Sequence, residues 1–154
     1  MAIRKTNWSK DVLRDLIDGN LDLPVLLEMQ RGAKEEDRFE AILKIEQEKV
    51  SFPEKILVPM GEHLYVVQKG AEKVVKCSCG YEFGDYRQTW KNNAVVFVRD
   101  TEESMEEIFR GPRKCDPSWM ELREFYCPHC AAMLEVEAVP PGYPFVFDFL
   151  PDLD

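Results

Sequence analysis

Four of the five cysteines in this chain fall into two close pairs, Cys77-Ser78-Cys79-Gly80 and Cys127-Pro128-His129-Cys130, and that spacing constrains the fold more than any other feature. Pairs so far apart in sequence meet at one metal only if the chain folds back to bring two turns face to face. Four thiolates complete the tetrahedron that zinc accepts without strain, so the pairs predict a closed zinc site. A filled tetrahedron leaves no position for a water nucleophile, and a metal held that way builds structure rather than performing chemistry. Gly80 and Pro128 suit tight turns whose backbone N–H groups point at sulfur. The first pair is Cys-x-Cys and the connection is long, so spacing alone leaves open inert buried thiols, a redox pair and an iron–sulfur cluster. Cys115 has no close partner and reads as a bystander.

An odd cysteine count argues against a disulfide framework and fits a reducing compartment. The first 30 residues carry charges from Arg4 to Asp18, which excludes the uncharged core of a signal peptide, and no later stretch reaches membrane-spanning length. A cytoplasmic, soluble protein is the expectation. With 154 residues, 45% of them hydrophobic, the chain has room for one modest core and an appended arm. The net charge of −9 repels phosphate backbones, and no basic run exceeds Arg113-Lys114, which argues against nucleic acid as a partner. Neither a Walker-type nor a dinucleotide-type glycine loop occurs, so the chain is not expected to bind ATP by itself. No Ser-His-Asp or Cys-His arrangement is legible: His63 reads as a strand-edge residue, and His129 as the outward residue of its turn.

The hydrophobic periodicity divides the chain. Residues 1–52 read as a helical arm. Ser9 caps a segment with Val12, Leu13, Leu16 and Ile17 on one face, ended by Gly19. A second helix starts from Asp22, with Pro24 in its first turn and Gly32 closing it. A third follows Glu35, Glu36 and Asp37, with Phe39, Ile42, Leu43 and Val50 at helical spacing. Residues 53–154 read as a β-rich domain. Segments 63–68 and 72–77 flank Lys69-Gly70 as a hairpin that delivers the first cysteine pair. Strands are expected over 94–98 and 120–126, with a short helix capped by Thr101 over 101–109. Leu134-Glu-Val-Glu-Ala138 alternates strictly, which predicts one buried and one wet face. Tyr143, Phe145, Phe147 and Phe149 place an aromatic at every second position of an ordered tail, on a strand whose aromatics fill the core or dock on another chain. The fold class is therefore α+β: an N-terminal helical arm followed by a mostly antiparallel, zinc-ribbon-like β domain.

Several stretches resemble one family: Lys55-Ile-Leu-Val-Pro59, Cys77-Ser-Cys-Gly-Tyr-Glu-Phe-Gly-Asp-Tyr-Arg-Gln-Thr-Trp-Lys91, Val98-Arg-Asp-Thr101 with Met105-Glu-Glu-Ile108, Pro117-Ser-Trp119 with Arg123-Glu-Phe-Tyr-Cys-Pro128, and Asp148-Phe-Leu-Pro-Asp152. Together they are similar to the small, or gamma, subunit of the acetone carboxylase family, which includes related acetophenone carboxylases. The resemblance implies a non-catalytic subunit of a heteromeric, ATP-dependent ligase that carboxylates a ketone, of acetone or acetophenone type, to a β-keto acid. It implies large hydantoinase-like partner subunits that carry ATP and a divalent metal. On this chain it implies a structural Zn2+ at Cys77, Cys79, Cys127 and Cys130, and no catalytic residues. The rival reading is a stand-alone zinc-ribbon adaptor that binds protein or RNA. A zinc hydrolase is a third, and it needs an open coordination position.

Overall fold

A computed structural model describes residues 7–111 and 115–153. Arg4, Lys5, the Arg113-Lys114 pair and Asp154 lie outside the described residues. The chain forms two compact units, Met1–Val50 and Ser51–Asp154.

The first unit contains α1 (Lys10–Ile17), α2 (Leu23–Arg31) and α3 (Arg38–Lys49). The Ser9 hydroxyl accepts from the Val12 N–H at 3.3 Å, which satisfies one of the orphan amides that begin a helix. Pro24 sits in the first turn of α2, where its missing N–H costs nothing. Leu13, Met29 and Ile45 are buried together, one from each helix, and Val12, Leu16, Ile17 and Ala41 pack against them. The buried face of α3 therefore runs through Ala41 and Ile45, while Phe39 is exposed. Helical spacing alone favours the Phe39–Leu43 stripe; the packing of the three helices instead buries Ile45 with Ala41 beside it. Glu48 accepts from Lys10 at 2.5 Å and from Arg14 at 3.4 Å, and Asp18 pairs with Lys49. These pairs are largely solvated and order the helices more than they stabilise them.

The second unit holds two antiparallel sheets. The first runs β1 (Lys55–Gly61), β2 (Leu64–Lys69), β3 (Glu72–Cys77) and β4 (Glu82–Asp85), in that order. The β2–β3 hairpin turns at Gly70, whose φ of +61° suits a residue without Cβ. The second runs β5 (Val95–Arg99), β6 (Glu121–Tyr126) and β7 (Met133–Val139). A 3-10 turn, Trp90–Asn93, connects the sheets, and the short α4 (Glu102–Glu106) follows β5 with a full capping box at Thr101 and Ser104. One core joins both sheets: Leu64, Val66, Val75, Cys77 and Phe83 from the first, Phe125 and Cys127 from the second, and Trp90 between them. Edge-to-face ring contacts run through it from Phe83 to Trp90 at 5.6 Å, on to Phe125 at 5.8 Å and to Phe145 at 5.3 Å. Among the described residues no helix is long and apolar enough to cross a membrane.

One expectation is met with a definite sense, and another needs correction. The alternation in β7 is present, but the charged face is the inner one: Glu137 is buried and Glu135 half-buried, while Val136 and Ala138 are exposed. A buried cation, described below, decides that orientation. The tail beyond Val139 forms no strand within the described residues, and Tyr143, Phe145, Phe147 and Phe149 are all at least a third exposed. Phe145 touches the core through Phe125, yet the row as a whole does not fill it.

Candidate metal centre

Strand β3 ends at Cys77, so the hairpin delivers the first cysteine turn at the end of a hydrogen-bonded ladder. The turn closes with Gly80 N–H donating to the Cys77 carbonyl and Cys77 N–H to the Tyr81 carbonyl, both at 2.8 Å. The second turn connects β6 to β7: Ala131 N–H donates to the Cys127 carbonyl and Cys127 N–H to the Ala132 carbonyl, both at 2.9 Å. The residue after the second cysteine has positive φ in both, Gly80 at +93° and Ala131 at +58°. That repeated left-handed turn aims amides inward. The Cys79 N–H reaches the Cys77 sulfur, the Tyr81 N–H the Cys79 sulfur, and the Ala132 N–H the Cys130 sulfur.

The two turns bring all four Sγ atoms within 4.8 Å of one another. Cys77 lies 3.7 Å from Cys130, and Cys79 lies 3.7 Å from Cys127. A disulfide needs about 2.05 Å, and all four thiols are free. Sulfurs at the corners of a tetrahedron with Zn–S bonds of about 2.3 Å are separated by about 3.8 Å, so the observed edges fit one zinc-sized ion. Electrostatics also fits. Burial pushes the Cys77 and Cys79 thiols above their ordinary range, which disfavours their thiolates unless a cation joins them, while the Ala132 N–H lowers Cys130. Cys77 and Cys127 are buried, Cys79 is partly covered and Cys130 is exposed, so the site opens to solvent on one side.

The sequence model of the acetone carboxylase gamma subunit family matches residues 50–154, which contain all four of these cysteines. Over 149 residues the chain is 38% identical to the acetone carboxylase gamma subunit of Xanthobacter autotrophicus, covering 96% of this chain and 89% of that one. The chain belongs to the acetone carboxylase gamma subunit family. It is also 32% identical over 78 residues to the acetophenone carboxylase beta subunit of Aromatoleum aromaticum, across 49% of this chain and 60% of that protein. The family resemblance read from the sequence is therefore shown, and with it a relationship to subunits of ketone carboxylases.

In this family member the other sequence candidates stand apart from the sulfurs. Cys115 is a free, partly covered thiol outside the cluster, and His129 is exposed. The His63 Nδ1 lies 3.3 Å from the Ser78 hydroxyl, which braces the first turn from behind. A second constellation was missed from the sequence. Lys91, fully buried in the 3-10 turn, donates to Glu135 at 2.6 Å, to Glu137 at 2.7 Å and to Asp148 at 2.6 Å. Burial pulls the Lys91 ammonium down, but these three carboxylates outweigh it and hold the lysine above its ordinary value. Burial raises Glu135, against the pull of Lys91. Lys91 closes one of the family-like stretches, and the Glu-x-Glu alternation of β7 was visible; nothing in the spacing linked them.

Proposed function

We propose that this chain is the structural, zinc-holding small subunit of a heteromeric, ATP-dependent ketone carboxylase, with Cys77, Cys79, Cys127 and Cys130 as the metal ligands. The observation that carries the metal assignment is the packing of four free thiols within 4.8 Å of one another, two from each cysteine turn, with two of the separations at 3.7 Å. When bound, zinc would cross-link the sheets by closing the long loop between the cysteine turns, a contribution of structure rather than of a nucleophile. The residues' own part is to present four sulfurs and to aim three amides at them, which stabilises thiolate charge. The carboxylase reading is supported by relatives whose names are those of acetone and acetophenone carboxylase subunits. In this reading ATP, a second divalent metal and the reacting ketone belong to large, hydantoinase-like partner chains in the cytoplasm, and this chain supports assembly.

Native mass spectrometry of the complex isolated from its own cells tests both halves. One zinc on this subunit and a mass that includes much larger chains are the expected result; a free monomer whose binding weakens with salt would favour an adaptor instead. Cys127→Ser should lower zinc occupancy and assembly together. Wild-type metal content and wild-type assembly in that variant would overturn the proposal.

A further inference from the structure

The tail beyond β7 is held to the second sheet and to the 3-10 turn by three polar contacts, while Phe145 and Leu153 pack against the core. Arg123 donates from Nη2 to the Tyr143 carbonyl at 2.5 Å, Val146 N–H donates to the Glu137 carboxylate at 3.2 Å, and Lys91 donates to Asp148 at 2.6 Å. Phe145 packs on Phe125 and under the Arg123 guanidinium, but Phe147, Phe149 and Leu150 stay substantially exposed. Asp148 and Phe149 also form one wall of a cavity of about 390 Å³, whose other walls include Leu64, Trp90 and Glu135. Residues 143–149 thus lie as a strap along the second sheet, and its Asp148–Phe149 end walls one side of that pocket.

The charges beneath the strap do not balance. From the 3-10 turn comes Lys91; from β6 come Arg123 and Glu121, paired at 2.6 Å; from β7 come Glu135 and Glu137; from the strap comes Asp148. Glu137 reaches Arg123 only at 3.8 Å, and the two facing atoms have no hydrogen-bond partner although both are buried. Four carboxylates therefore face two cations, and one of the four arrives only when the strap docks. Docking adds a negative charge to a partly buried cluster already in excess of negative charge, which costs free energy unless a positive charge enters with it.

We infer that the strap is a proton-coupled latch: its docking through Asp148 is linked to proton uptake at Glu135, and deprotonation of Glu135 loosens the strap and with it the Asp148–Phe149 wall of the pocket. Glu135 is the acceptor because it keeps some solvent access, with a side chain 31% exposed against 5% for Glu137, and because it lies beside both Lys91 and Asp148. Its proton affinity is raised by burial, and further by the Asp148 and Glu137 charges, against the pull of Lys91. The sign follows: a carboxyl whose affinity rises on docking favours the docked state at low pH, and that contribution is lost as pH rises through its raised value. This device is independent of the metal and of the partner subunits proposed above.

Hydrogen exchange of the full-length chain between about pH 5 and 8, corrected for intrinsic exchange rates, reads the latch at the Val146 amide, which donates to Glu137. Protection should fall as pH rises, by at most about tenfold per pH unit for one linked proton. Glu135→Gln, which removes the surplus charge without changing shape, should hold protection high and independent of pH. Asp148→Asn should also abolish the pH dependence, because docking then adds no charge, and it serves if the first variant folds poorly. Protection in the wild type that does not change with pH would overturn the inference, and so would a pH dependence that survives both substitutions.

Discussion

The two cysteine turns make the same shape from unequal materials. The first is set in the body of the protein. Its Cys77 is fully buried, the Ser78 N–H donates to the His63 carbonyl at 2.9 Å, and both the Ser51 N–H and the Ser51 hydroxyl donate to the Ser78 carbonyl. Its left-handed position is glycine, with φ of +93°. The second turn projects from the β6–β7 connection with Cys130 and His129 exposed, and it places alanine at φ of +58°. A left-handed alanine is strained by about 1–2 kcal/mol relative to its right-handed form. One half of the site is thus preformed by the fold, while the other is held against local strain. A metal has most to contribute where the backbone has least support of its own.

Removing the metal should therefore break the symmetry of the pair. Chelation is expected to lower the melting temperature by more than about 10 °C. Hydrogen exchange should rise first at residues 127–132 while the β2–β3 hairpin keeps its protection, and equal loss in both turns would refute the comparison. Between ligand substitutions, Cys77→Ala should be more damaging than Cys130→Ala by about 1 kcal/mol, because it leaves a void in the shared core as well as an incomplete tetrahedron. Denaturant unfolding of the two variants measures that difference.

Thiol chemistry sharpens the contrast further. In metal-free protein near pH 8, Cys130 should alkylate on the order of ten times faster than Cys77. The Ala132 N–H lowers the Cys130 thiol, so its thiolate appears at lower pH, whereas burial delays the Cys77 thiolate to higher pH. Peptide mapping after a timed iodoacetamide pulse at several pH values reads both. The smallest effect is a mirrored pair. Gly80→Ala should destabilise by about 0.5–1 kcal/mol and Ala131→Gly should stabilise by a similar amount, each the difference between left-handed strain and unfolded-chain entropy. A Cβ on Gly80 meets only the Ser51 hydroxyl at 3.7 Å, ordinary contact, so no steric term obscures the comparison.

Much of this organisation was legible because its causes are local. Ser9, Thr101 and Gly70 announce two helix caps and a hairpin through contacts made within a few residues. The cysteine pairs point to their meeting because two close thiol pairs suit a shared metal, although the spacing alone left other uses of the thiols open. The Lys91 cluster was not legible. Its members come from a 3-10 turn, from β7 and from the tail, and no rule of spacing joins them.

The sequence by itself determined the α+β class and the two cysteine turns, since periodicity, capping and side-chain chemistry are carried by neighbouring residues, and its motifs carried the resemblance to the family. Tertiary structure decided which face of β7 turns inward and what becomes of the aromatic tail. Alternation states only that two faces differ. A buried lysine that arrives from elsewhere makes the glutamate face the inner one, because a buried ammonium is far costlier unpaired than two small apolar side chains are exposed. The same lysine claims Asp148, and so lays the tail across the sheet edge by charge rather than drawing its aromatics into the core.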